Sequence, residues 1–211
     1  MEDFTKAYTK DTLSLLETNP NARLLDLGCH DGNLTSMIAA KIETNALIGM
    51  DRIDRGCKLP LVISDLERSF PLANKSFDVV CAIQVIEHVG NTDGLLQEIR
   101  RVLKDDGYAI ISTPNLAAFT TIAFLLIGKQ PTMISATDWR DGVINSFHRR
   151  VFTLSGLRYA LAANGFYVEK EKCSCYYPLP TSLSGIMSRI DKRHTACMTM
   201  KVRKDLEWQK K

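Results

Sequence analysis

The sequence predicts an α/β protein built on a doubly wound, mostly parallel sheet. Two observations carry that prediction. Apolar runs of strand length alternate with segments of helical period. The first of these runs, Leu24-Leu25-Asp26-Leu27, passes through a glycine turn into a helix with Leu34, Met37, Ile38 and Ile42 on one face. Strands alternating with helices lie parallel, and the helices then cover both faces of the sheet.

Each element follows in order. Asp11–Glu17 reads as a short helix that packs Leu13 and Leu16, and Asn19-Pro20-Asn21 turns the chain into the first strand, Ala22–Leu27. Further strands are expected at Ala46–Met50, Leu61–Ile63, Phe77–Ile83 and Tyr108–Ser112. Between the last two, Leu95, Leu96, Ile99, Val102 and Leu103 form a helical stripe that Lys104-Asp105-Asp106-Gly107 closes with turn chemistry. Thr153 can cap a helix carrying Leu154, Leu157 and Leu161 that ends at Asn164-Gly165, and two late strands follow at Phe166–Cys173 and Ala196–Val202. No internal repeat, low-complexity tract or linker divides the chain. It reads as one domain over residues 1–211, with residues 116–150 an insertion after the fifth strand.

The turn itself, Gly28-Cys29-His30-Asp31-Gly32, is of the kind that binds a nucleotide cofactor. Glycine lets the backbone bend sharply and approach a ligand, and amides at a helix start point at whatever lies above them. Asp51 ends the next apolar run, at the distance where an acidic side chain takes the ribose hydroxyls of an adenosine.

In order, the segments LLDLGCHDGNLT, IGMD, ISDLE, FDVVCAIQVIEHV and LLQEIRRVLKDDGYAIISTPN resemble a class I S-adenosylmethionine-dependent methyltransferase, in the broad branch that includes quinone, lipid and small-molecule enzymes. The resemblance covers roughly Asn21 to Asn115, and His30 stands where the family usually has its middle glycine. It implies a seven-stranded sheet finished by a C-terminal antiparallel hairpin, with S-adenosylmethionine as cofactor. Asp26 would order the glycine loop or hold the methionine amino group, and the backbone at Gly28, His30 and Gly32 would run along the cofactor's amino-acid tail. Asp51 would take the ribose and Arg52 would flank the adenine. Asp65 and the Leu66 amide would bond the adenine edge, and Gln84 would close the fourth strand beneath the sulfonium.

The sulfonium activates its own methyl group, so the protein need only hold a nucleophile in line with it. An oxygen or nitrogen acceptor must also lose a proton, which a histidine can take. His88, after Glu87 and just beyond the fourth strand, is one candidate. His148, with Arg149 and Arg150, is the other, and that cluster is equally suited to an anionic acceptor. The apolar stretch Leu116–Ile127 is too short to cross a bilayer. It reads as a lid over an acceptor pocket, one able to graze a membrane and collect a lipid-like substrate, or else as an ordinary buried helix. The expected function is methyl transfer to a small-molecule or lipid-linked acceptor. The alternative is a catalytically weak cofactor-binding regulatory or assembly protein.

Composition narrows the partners. The 211-residue chain is 45% apolar, and 27 basic against 24 acidic residues leave a net charge of only +3 without a basic block, which argues against nucleic acid. The acidic start Met1-Glu2-Asp3-Phe4 lacks a signal-peptide core, and none of the six cysteines forms a Cys-x-x-Cys pair, so reduced thiols and a cytoplasmic location are expected. Cys173 and Cys175 alternate along an apparent strand and should share a face. Cys57, Cys197, His148 and His194 are too scattered to nominate a metal site, and none is expected.

Overall fold

A computed structural model describes residues 4–131 and 148–209. The elements run α1 (Phe4–Leu15), β1 (Leu24–Leu27), α2 (Asn33–Ile42), β2 (Leu47–Asp51), β3 (Leu61–Ile63), β4 (Phe77–Ile83), α3 (Thr92–Val102), β5 (Leu103–Pro114), α4 (Phe119–Leu126), α5 (Leu154–Ala163), β6 (Phe166–Ser174), α6 (Thr181–Ile190) and β7 (Cys197–Lys204). The seven strands form one sheet in the order β3-β2-β1-β4-β5-β7-β6, parallel except that β7 runs antiparallel to both β5 and β6. This is the expected doubly wound sheet with its C-terminal hairpin.

Alternation along the central strands builds two cores. Leu25, Leu27, Val80 and Ala82 face a cluster closed by Leu96 and Ile99 of α3 and Leu157 and Leu161 of α5. Leu24, Val79, Cys81 and Ile83 face the opposite one, closed by Leu15 and Leu16 and by Ile38 and Ile42 of α2. Asn91 caps α3 by accepting from the Gly94 N–H at 3.0 Å, and Thr153 caps α5 by accepting from the Gly156 N–H at 3.1 Å, as its sequence position implied.

Four expectations change. The first helix starts at Phe4 rather than Asp11 and ends at Leu15, so Leu15 joins Leu16 in the core while Leu13 is only partly buried. Lys104–Gly107 does not end the helix in a turn but belongs to β5. Phe77 pairs with Leu103 and Val79 with Tyr108, so the extra residues form a bulge, and a side chain at Gly107 would lie 2.7 Å from the Asp78 carbonyl. Cys173 packs on the main core, but Cys175 lies past the end of β6 with φ 61° and joins Ala7, Ala118 and Ala196 in a third cluster, so the two do not share a face. Leu116–Ile127 does contain a helix, α4, but not a buried one. Phe119, Leu125, Leu126 and Ile127 are exposed, and Thr121 alone in the helix is fully buried. No helix among the described residues is long and apolar enough to cross a membrane.

Candidate active site

The order reverses between β1 and β4, and the glycine loop leaves β1 at that point, where open α/β sheets bind their ligands. Gly28, His30 and Gly32 all have positive φ, at 70°, 52° and 80°. A side chain at Gly28 would strike Val85 Cγ2 at 2.6 Å, so glycine is required there by contact as well as by conformation. His30 takes a left-handed backbone of the kind that favours glycine and turns its ring outward, with the side chain 65% exposed.

Two carboxylates hold this loop. Asp51, at the end of β2, accepts the His30 N–H at 2.9 Å and the Ile53 N–H at 3.3 Å, which ties the loop to the second strand. Asp26 is buried beneath the loop and accepts the Thr35 hydroxyl of α2 at 2.5 Å. Burial pushes its carboxyl up to about 7 and the neighbouring charge of Asp51 adds to the rise, while the Thr35 hydrogen bond opposes it. Asp51 pairs across to Ile63 of β3, and the Ser64 N–H donates to the Asp51 carbonyl, so half-buried Asp65 lies beside it. Asp65 caps its own turn by accepting the Glu67 N–H at 3.0 Å, Leu66 packs on the main core, and Arg52 is exposed. Gln84 closes β4 with a positive φ of 58°. Its side-chain amide donates to Ser112 Oγ of β5 at 2.9 Å and approaches Cys197 of β7.

Val85, packed under Gly28, leads directly into a single 3-10 turn, Ile86–His88. There the structure joins the two separate histidine candidates. The His88 and His148 rings meet edge to face with centroids 5.0 Å apart, and Glu87 completes a cluster whose ligand atoms all lie within 4.8 Å of one another. The returning chain is fixed from several directions. The Arg150 N–H donates to the Glu87 carbonyl at 3.1 Å, Arg150 Nε to the Gly90 carbonyl at 3.1 Å, and Arg149 to Glu67 Oε1 at 2.8 Å; Phe152 bridges to Asn115 beyond β5. Arg149 is therefore engaged by a carboxylate of this chain. Glu87 is 1% exposed, and burial pushes its carboxyl up to about 7 against an opposing hydrogen bond from Thr113 at 2.9 Å.

His148 also borders a mainly apolar cavity of about 400 Å³ lined by Phe4, Pro114, Ala118, Phe124 and Tyr177. A larger open groove of about 1280 Å³ lies elsewhere, between the start of α3 and the end of α5, and shares no residue with the glycine loop. Sequence reasoning missed two residues at the end of β5. Thr113 orients Glu87, and buried Asn115 donates to the Arg193 and Thr195 carbonyls, both at 2.7 Å, so that the end of β5 is fastened to the entry of β7. Both stand in the Ser-Thr-Pro-Asn run at the end of the fifth strand, which was a legible signal. The expected insertion, residues 116–150, includes 132–147, which lie outside the described residues.

A family model described as a methyltransferase domain matches residues 2–171. The chain belongs to the class I S-adenosylmethionine-dependent methyltransferases. It is 33% identical over 155 residues, 69% of this chain and 52% of the relative, to a protein of Mycolicibacterium smegmatis named as a probable S-adenosylmethionine-dependent methyltransferase. A ubiquinone biosynthesis O-methyltransferase of Rickettsia akari is 32% identical over 128 residues, 54% of this chain and 46% of that one. The chain thus spans about half the length of the curated relatives it matches. An S-adenosylmethionine-dependent methyltransferase from Mesorhizobium loti shares the fold, with a TM-score of 0.65, 16% identity, and coverage of 92% of this chain and 95% of its own.

Proposed function

We propose that this methyltransferase domain transfers the methyl group of S-adenosylmethionine to an oxygen, nitrogen or carbon of a small-molecule or lipid-linked acceptor. One observation carries the reading: Val85 links the two halves of the site, packing under the cofactor loop and opening the turn that presents Glu87 and His88. A nucleophile near that turn would meet the methyl group without any large rearrangement of the chain. Charge supports the choice of cofactor. Asp26 and Asp51 flank the loop and repel one another, and the net positive charge of S-adenosylmethionine offsets that repulsion.

Asp51 takes the ribose hydroxyls, Asp65 and Leu66 line the adenine edge, and the backbone of Gly28, His30 and Gly32 follows the amino-acid tail. His88 and His148 stand on the acceptor side as candidate proton acceptors. Similarity to a protein named as a ubiquinone biosynthesis O-methyltransferase favours an oxygen acceptor carrying an apolar group. Residues of α4 line the cavity while Phe119, Leu125 and Leu126 stay exposed, which supports a lid whose outer face rests on a lipid surface.

Calorimetry tests the cofactor half. The chain should bind S-adenosylmethionine and S-adenosylhomocysteine in the micromolar range, and NAD not at all. Asp51→Ala should cost about 1.5–3 kcal/mol of that affinity, because hydrogen bonds to a charged group are the stronger kind. Binding of NAD in place of the methyl donor would overturn the reading. Tight cofactor binding with no transfer of labelled methyl to any acceptor in lipid or metabolite extracts would favour the regulatory alternative.

A further inference from the structure

We propose that Glu87, His88 and His148 form a divalent-cation site on the acceptor side of the sheet, and that an acceptor hydroxyl completes the cation's coordination. The cation site stands on geometry alone; its use on an acceptor rests on the methyltransferase reading above.

Three features point to a cation. The set is two imidazoles and one carboxylate, with ligand atoms within 4.8 Å of one another. Around a bound first-row ion those atoms would stand roughly 3–3.5 Å apart, as bonds of about 2.0–2.2 Å require, so the widest separation would close by roughly 1–2 Å. The Glu87 carboxylate is also prepared in the manner of a metal ligand. It is 1% exposed, Oε2 accepts the Thr113 hydroxyl at 2.9 Å, and Oε1 has no hydrogen-bond partner among the described residues. A buried carboxylate oxygen without a donor is costly, and an outer hydroxyl that fixes the other oxygen is what ligating carboxylates usually have. Finally, the ligands are held from outside the cluster. The Arg150 N–H on the Glu87 carbonyl brings His148 to a turn 60 positions earlier in the chain, without using any ligating atom.

The ligand types choose the ion. Imidazoles with one carboxylate suit zinc, manganese, iron or cobalt better than magnesium or calcium, and three protein ligands leave positions open. His148 borders the 400 Å³ cavity, so an open position lies on the side from which an acceptor would enter. An alcohol or phenol bound there would have its pKa lowered and release its proton to water. An oxygen lone pair then forms the O–C bond while the C–S pair returns to sulfur, leaving a neutral thioether. The substrate class this implies is an acceptor whose methylated hydroxyl is itself a metal ligand, best with a second oxygen beside it.

The test uses the full chain freed of metal by a chelator, with zinc chloride as titrant and cobalt(II) as the spectroscopic probe. The expected result is one tight zinc per chain and a cobalt absorption spectrum of mixed nitrogen and oxygen ligation. Magnesium should bind far more weakly. Glu87→Gln and His148→Ala should each weaken zinc binding at least tenfold, and Thr113→Val about tenfold as an outer partner. S-adenosylmethionine affinity, measured on the same samples, should stay within twofold. His148 lies outside the regular elements, so its variant remains informative if Glu87→Gln does not fold. No saturable zinc binding, or binding unmoved by these substitutions, overturns the site. Loss of methyl-donor binding by the parent chain would sink the functional reading while leaving the cation result standing.

Discussion

The carboxyl edge of the sheet carries two carboxylates with opposite surroundings. Asp51, half-buried, is met by two backbone N–H groups of its own neighbourhood, as Asp26 beneath the loop is met by the Thr35 hydroxyl. Glu87, almost fully buried, has one hydroxyl donor and two imidazoles. The glycine-loop half, proposed to hold the cofactor, is thus built largely from backbone that follows β1 and β2, and these donors are committed within the chain. The half around Glu87, proposed to face the acceptor, is assembled from side chains of three segments, and an oxygen of Glu87 is left without a donor among the described residues. A site of the first kind recognises one cofactor across a large family. A site of the second kind can change its acceptor by exchanging a few side chains, which is where one fold comes to host many chemistries.

The largest effect expected lies on the cofactor side and concerns pH. Asp26 is raised from an ordinary 3.8 to about 7, so the folded state holds its proton more tightly than the unfolded chain does. Stability should be highest below the unfolded value and should fall as pH rises from about 4 to about 7. The loss is on the order of 4 kcal/mol, since each pH unit between the two values is worth about 1.4 kcal/mol. Glu87, raised to about 7 by its burial, contributes in the same direction. Asp26→Asn, permanently neutral, should flatten much of that slope and leave the variant more stable than the parent at pH 8. Denaturant unfolding at pH 5 and pH 8 measures both. A parent chain that grows more stable over this range would contradict the account.

His88→Ala separates the two sides. Turnover should fall by about 10²–10³, whether the imidazole takes the acceptor's proton itself or helps to hold a cation that lowers the hydroxyl's pKa, while S-adenosylmethionine affinity changes less than twofold. Equal losses in both would mean that the turn carrying His88 supports the glycine loop through Val85, and that the two halves are a single site.

The difference between the halves also decided what could be read in advance. Leu61–Ile63 and Phe77–Ile83 coincide with β3 and β4, and the glycine loop and Asp51 stand where their motifs put them, because a strand, its turn and the next strand's end are local patterns. The meeting of His88 with His148 had no local signal. It depends on the Arg150 N–H reaching the Glu87 carbonyl from 63 positions away, and on Phe152 docking beside Asn115. Helix α6 was missed for a different reason. Its Leu183, Ile186 and Ile190 recur at helical spacing but face outward, so they mark no buried stripe. The bulge at Lys104–Gly107 shows the converse, since Asp-Asp-Gly carries turn chemistry that the strand absorbed without leaving the sheet.

The smallest expected effect tests the one place where the local motif itself departs from the family. His30 holds φ 52°, a conformation that costs a residue with a Cβ roughly 1–2 kcal/mol. Glycine would relieve that strain but would also gain freedom in the unfolded chain worth about 0.5–1 kcal/mol, so His30→Gly should stabilise the fold by roughly 0–1.5 kcal/mol. The N–H that Asp51 accepts survives the substitution, and the ring that is lost points to solvent, 3.7 Å from Asp31. Cofactor affinity should therefore stay within about twofold of the parent, since no hydrogen bond to a charged group is removed. If S-adenosylmethionine instead binds His30→Gly more than tenfold tighter, the imidazole swings inward when the cofactor arrives, and the methionine end of the site is narrower in this chain than its open loop indicates.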